Sequence, residues 1–173
     1  MGNMTNKIRI ECPDDEKLMA AVGRMACASA HYDDALIMTI KSLLKLRPEQ
    51  ARVIFARTGS AQLKQRVEAF ADELCAPATA AKLKTLVQEG YDHVLRRHEL
   101  AHGLLGRDEE GNPIHFIKRQ NKQEFVSPPD PAELNFKAER LIAIAQEITT
   151  IRLSLRSKEP TYEDLADLAG SLG

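Results

Sequence analysis

The chain has 173 residues, of which 43% are hydrophobic and 28% charged, with a formal net charge of -1 and no tryptophan. That length supports one domain with a sizeable core, and the mixture excludes wholesale disorder and fibrous repeats. A near-neutral balance also excludes a protein built mainly to coat nucleic acid, because phosphate binding is driven by cations that displace counterions, although it leaves room for a local basic site.

Residues 1–13 read as an N-terminal extension in which Lys7 and Arg9 mix with Asn3 and Asn6, without the apolar core of a secretory signal. No run reaches the ~18 apolar residues needed to cross a bilayer, so a cytoplasmic protein without a membrane partner is expected. Cys12, Cys27 and Cys75 are odd in number and lack CxxC spacing, which supports neither a disulfide framework nor a cysteine zinc site and fits a reducing compartment.

Residues 14–173 read as a single helical domain. Leu, Ala, Lys, Glu and Arg dominate, residues that lose little on entering a helix. After Asp14-Asp15, the residues Leu18, Met19, Val22, Met25, Tyr32, Leu36, Ile40, Leu43 and Leu44 recur at three- and four-residue spacing and predict one long helix ending before Pro48. Pro48 to Arg57 reads as a short helix. Thr58-Gly59-Ser60 then breaks the chain and caps a second main helix with Leu63, Val67, Phe70 and Leu74 inward, ended by Ala76-Pro77.

From Thr79 a third main helix carries Leu83, Leu86, Val87, Tyr91, Val94 and Leu95 to a stop at Gly103. Residues 104–130 differ in character, with Gly106, Gly111-Asn112-Pro113 and Pro128-Pro129 around one strand-like run, Ile114–Ile117; a protruding loop or β-hairpin is expected there. Asp130-Pro131 starts another long amphipathic helix through Leu134, Ala138, Leu141, Ile142, Ala145, Ile148, Ile151 and Leu155. Thr161-Tyr162-Glu163-Asp164 looks like the start of a short last helix. The fold class is all-α, an antiparallel helical bundle of four to five helices with an excursion after the third main helix.

Functional residue types are densest in Arg96-Arg97-His98-Glu99-Leu100-Ala101-His102-Gly103. His98-Glu99-Leu100-Ala101-His102 satisfies HExxH, in which two histidines four apart on a helix hold zinc and the glutamate, here Glu99, acts as general base on a bound water. Against a zinc-dependent hydrolase, Arg96 and Arg97 place two cations beside the first ligand. The downstream residues Asp108 and His115 supply no clear third ligand, since the intervening turn glycine is Gly106, one place late for the extended zinc-protease pattern.

Read from Arg97, the same letters run Arg, polar residue, three residues, His at the end of the third main helix. This resembles the motif of HEPN domains, a superfamily of helical bundles that includes metal-independent ribonucleases of toxin, defence and RNA-processing systems. The resemblance covers the helix order across most of the chain and, residue by residue, only Arg97 to His102 and the following Gly103.

It implies an endoribonuclease without cofactor. His102 would serve as general base or acid, because imidazole titrates near neutral pH. Arg97 would hold the scissile phosphate, and His98 would orient substrate or His102. It also implies a homodimer, since HEPN domains commonly pair with their motifs facing, together with an RNA substrate and an antitoxin or other protein partner. At ~100° per residue, Arg97 and His102 lie about 140° apart on an ideal helix, so they converge only if the helix end unwinds near Gly103 or a second subunit completes the site. HEPN toxins modified by a nucleotidyltransferase antitoxin carry a tyrosine two residues past the histidine; here that position is Leu104, which speaks against that route.

A non-catalytic dimerisation or interaction module is the competing expectation, because cations near a helix C-terminus are stabilising with or without catalysis, by ~0.3–1 kcal/mol each. His31 and His93 read as polar-edge or partly buried helix residues, and His115 as a strand residue with a simple solvent-facing reading. Lys41, Lys45, Arg47, Arg52 and Arg57 read as a solvated face before an RNA guide, and Lys118, Arg119 and Lys122 equally as contacts to a phosphate backbone or as charges that protect a strand edge.

Overall fold

Four of the five described helices start at a capping side chain or at a proline, which lacks the N–H that would otherwise go unpaired there. The computed structural model describes residues 9–10, 15–107, 110–119, 122–126 and 128–156. Asp15 caps α1 (Glu16–Leu43), its carboxylate accepting from the backbone N–H groups of Lys17 and Leu18 at 2.9 and 3.0 Å. α2 (Pro48–Phe55) starts on a proline, and Gln50 Oε1 accepts from the Arg47 N–H at 2.8 Å.

α3 (Ser60–Leu74) begins at Gly59 without a side-chain cap, contrary to the expected Thr58–Ser60 cap. Thr58 and Ser60 bond elsewhere: Ser60 Oγ donates to Asp33 Oδ2 at 3.0 Å and Thr58 Oγ1 to the Ile54 carbonyl at 3.4 Å. Only Cys75 and Ala76 separate α3 from α4 (Pro77–His102), so Pro77 opens the next helix rather than closing the previous one. Before α5 (Pro131–Arg156), Asp130 accepts from the Ala132 N–H at 3.0 Å, as the Asp-Pro pair predicts.

The excursion is richer than one hairpin. β2 (Leu104–Arg107), β3 (Pro113–Arg119) and β4 (Lys122–Val126) form an antiparallel meander, and β1 (Arg9–Ile10) adds itself to the β2 edge, giving the order β1-β2-β3-β4. Part of the N-terminal extension therefore pairs with the excursion, Arg9 opposite Arg107 and Ile10 opposite Gly106. The expected helix from Thr161 lies outside the described residues.

α1 packs most extensively along α5, and α4 lies between α3 and α5. Arg24 Nε donates to Asn135 Oδ1 at 2.7 Å near the starts of α1 and α5, and His31, Met38, Ile142 and Thr149 share a groove further along, so these two helices run in the same direction. α4 runs against α5, with Glu89 beside Arg140 and Arg96 near Glu133. α2 carries the chain back: Ser60 meets Asp33, ten residues before the end of α1, a return of about 15 Å at 1.5 Å per residue.

The core is built from Met25, Tyr32, Leu36 and Ile40 of α1, Leu63 and Val67 of α3, Leu83 and Val87 of α4, and Leu141, Ile144 and Ile148 of α5. Ala28, Ala71 and Ala138 fill close helix contacts in the same cluster. Met19, Leu44, Leu74, Leu95 and Ile142, expected inward from their spacing, are exposed; the small residues Ala21 and Ala71 hold buried positions instead, and Ala145 is buried as its spacing predicts. Among the described residues no helix is long and apolar enough to cross a membrane.

Candidate functional site at the end of the fourth helix

Along α4 the buried side chains Leu83, Val87 and Val94 form the stripe that faces the bundle. Arg97, three residues past Val94, continues that stripe and is half-buried. Its charge bears on the Asp33 carboxyl of α1. The Asp33 carboxylate accepts the Ser60 hydroxyl through Oδ2, while Oδ1 is buried with no hydrogen-bond partner. Burial pushes the Asp33 carboxyl above its ordinary range, and the Ser60 hydrogen bond and the Arg97 charge both oppose that rise. The Arg97 charge, on α4, thus acts on a carboxyl of α1 that is hydrogen-bonded to the first residue of α3.

Arg96 lies ~100° around the helix and serves the other side. Its Nη1 pairs with Glu99 Oε2 at 2.8 Å, both side chains largely covered, and its Nε is buried without a partner. The Glu133 carboxyl at the start of α5 is held below its ordinary range, chiefly by Lys137 and in smaller part by the Arg96 charge. Glu99, the general base of the zinc reading, is therefore engaged in an ion pair. His98 is exposed on the outer side of α4.

α4 stays α-helical through His102, and Gly103 leaves it in an extended conformation (φ -81°, ψ 159°), its N–H donating to the Glu99 carbonyl at 2.8 Å. The helix does not unwind before His102, so the backbone keeps Arg97 and His102 about 140° apart around the axis. Within one chain, His102 occupies the same side of the helix as His98, not that of Arg97. The His102 side chain itself lies outside the described residues, as does Asp108.

His115 corrects the solvent-facing reading. In β3 it stands opposite Leu105 of β2 and Val126 of β4, and its ring is fully buried, with neither Nδ1 nor Nε2 meeting a hydrogen-bond partner among the described residues. The physical reason is Gly103: with no Cβ, the backbone just past α4 lets the imidazole lie on it, and a Cβ there would collide with Nε2. Burial and, next, the Arg96 charge push the His115 pKa below its ordinary value, against the attraction of Glu99. Only the strand-like pattern Ile114–Ile117 pointed toward this residue; period-two alternation, taken alone, leaves the buried face undecided.

Histidine 93, further up α4, is half-buried near Glu89, Lys137 and Arg140, and burial lowers its pKa. Among the described residues no three His, Cys, Asp or Glu side chains gather to hold a metal ion, a set that excludes the His102 side chain. In the basic cluster, Lys41 lines a groove of about 570 Å³ with Ile37, Met38 and Phe55, Arg47 precedes α2, and the Arg52 side chain lies outside the described residues. No known family, curated protein or solved structure matches the chain.

Proposed function

We propose that this chain is a HEPN-like, metal-independent endoribonuclease of a toxin or defence type, acting as a homodimer, with Arg97 and His102 as its catalytic pair and His98 beside them. The observation that carries the reading is the placement of Arg97: half-buried, it continues the inner stripe of α4 and its charge bears on the Asp33 carboxyl, on a helix that keeps its form to His102. An arginine so confined is oriented, and an oriented guanidinium presents its planar donors to a scissile phosphate with little ordering left to do.

Cleavage beside a ribose 2′-hydroxyl needs a base for that hydroxyl, an acid for the departing 5′-oxygen and a cation for the charge that grows on phosphorus oxygens. Histidine supplies the first two at neutral pH, and arginine the third. No resident cofactor is required by that chemistry. The test is RNA cleavage by the purified chain in excess chelator: cleavage is expected, and His102→Ala is expected to abolish it while leaving the circular-dichroism spectrum and melting temperature unchanged. Cleavage that survives in His102→Ala overturns the assignment.

A second reading, a non-catalytic HEPN-like module that binds a partner protein, is favoured by a different observation. Both arginines already face acids within the chain, Arg96 with Glu99 and Arg97 near Asp33, as purely structural cations would. A module of this kind binds its partner equally well as wild type and as His102→Ala, and leaves RNA intact. The zinc-hydrolase reading on His98, Glu99 and His102 is weaker because Glu99 is paired with Arg96; it requires about one zinc per chain in elemental analysis.

A further inference from the structure

Where the strand meander meets the end of α4, His115 brings a chemistry that does not suit a permanently closed core. His115 is fully buried, and among the described residues neither of its ring nitrogens has a hydrogen-bond partner. A neutral imidazole carries one N–H donor and one lone pair, so at least one donor is buried unmet, a cost of ~1–3 kcal/mol. A leucine or phenylalanine at the centre of the same sheet would fill the space without that cost. We propose that His115 is a proton-sensitive clamp: neutral, it holds the β2–β4 meander on Gly103 at the end of α4, and protonated, it releases that contact.

The geometry gives the clamp its direction. The imidazole lies against the Gly103 backbone, immediately past His102, where no side chain intervenes. The charged groups that bear on it from α4 are Arg96 and Glu99, and these are already paired with each other at 2.8 Å. Its register partners are the apolar Leu105 of β2 and Val126 of β4. Two positions along the same face, Arg107 of β2 stands opposite Pro113 and donates through Nη1 to the Gly111 carbonyl at 2.8 Å; Glu124 of β4 holds the register position opposite Ile117. A proton on His115 therefore adds a buried cation beside Arg96, with Glu99, the carboxylate that bears on it among the described residues, already paired with Arg96.

The sign follows from linkage. The closed state favours the neutral ring, so its advantage is complete above the ordinary histidine value of 6.5 and is lost as pH falls below it toward the depressed value of the closed state. A single group changes the closed-to-open ratio by at most ten-fold per pH unit in that window. The inference stands on the contact between β3 and α4 and does not require RNA cleavage.

Hydrogen exchange of the full chain tests it, read as protection factors for the amides of β2 and β3 at pH 7 and pH 5. Protection is expected to fall several-fold to about ten-fold in the wild type, while the amides of α1 and α3 keep theirs, and to change less than two-fold in His115→Phe. Equal loss in wild type and His115→Phe, or no loss in either, overturns the proposal. If His115→Phe does not form the meander at pH 7, the ring titration of the wild type followed by NMR decides. Meander amide shifts that move with the His115 midpoint support the clamp, and shifts that stay fixed through it overturn the clamp.

Discussion

Tyr32 shows how one side chain can bind two helices. Its ring is fully buried in α1, and its hydroxyl donates to the Val87 carbonyl of α4 at 2.6 Å. Three residues past Val87, Gly90 leaves the space the ring occupies; a Cβ there would overlap the ring edge. Gly90→Ala is therefore expected to destabilise the chain by ~1–3 kcal/mol through overpacking, despite alanine's better helix propensity. Tyr32→Phe is expected to cost about 1 kcal/mol through the lost hydrogen bond. Urea denaturation reads both as a lower midpoint at unchanged slope.

The same phenol gives a pH signature. Burial, with Asp33, Glu68 and Asp92 adding to it, holds the Tyr32 pKa far above its ordinary value of 10.0. A group whose folded value is raised contributes its full stability below the unfolded value and loses it as pH rises beyond that point. Wild-type stability is thus expected to fall steeply above about pH 10. Tyr32→Phe, starting lower, should show a shallower alkaline decline; identical slopes for the two proteins would remove Tyr32 from the explanation.

At the scale of elements, the helices were legible because an amphipathic stripe repeats at 3.6 residues and because their starts are chemically marked. Asp15 and Asp130 act as read, each accepting a backbone N–H in the first turn. Removing either carboxylate, as Asp15→Ala or Asp130→Ala, is expected to cost ~0.5–2 kcal/mol by thermal or urea unfolding, whereas exposed Glu139→Ala should fall within about 0.5 kcal/mol of wild type.

The strands were harder to read. β2 is Leu-Leu-Gly-Arg and β4 is Lys-Gln-Glu-Phe-Val, neither of which alternates cleanly, and β1 becomes a strand only by pairing with residues almost a hundred positions away. Alanine positions such as Ala21 and Ala71 were illegible for a related reason: a hydrophobic pattern ranks large residues first, whereas close helix packing selects small ones. His115 was misjudged because the glycine that makes room for it, Gly103, lies in another element, where it reads as a helix stop.

For the molecule as a whole, the motif letters in α4 were legible, and the separate commitments of its two arginines were not. Arg96 and Arg97 are neighbours in sequence but act on different groups, Arg96 on Glu99 and the α5 start and Arg97 on the Asp33 carboxyl of α1. That division follows from ~100° per residue and from which helices flank α4, information that exists only once the bundle is assembled.

The proposed nuclease makes a demand on assembly that one chain does not meet, because α4 remains helical to His102 and keeps that residue about 140° from Arg97. If a second copy supplies the missing partner across a two-fold axis, Arg97 of one protomer works with His102 of the other. Arg97→Ala and His102→Ala are then each inactive alone. Mixed, unfolded together and refolded, they form heterodimers in which one of the two composite sites is intact, and about a quarter of wild-type RNA cleavage is expected for a statistical mixture. Sedimentation should show a dimer for wild type and for both variants. A site completed within one chain leaves the refolded mixture as inactive as its components, and a monomeric wild type that cleaves RNA rejects the shared site outright.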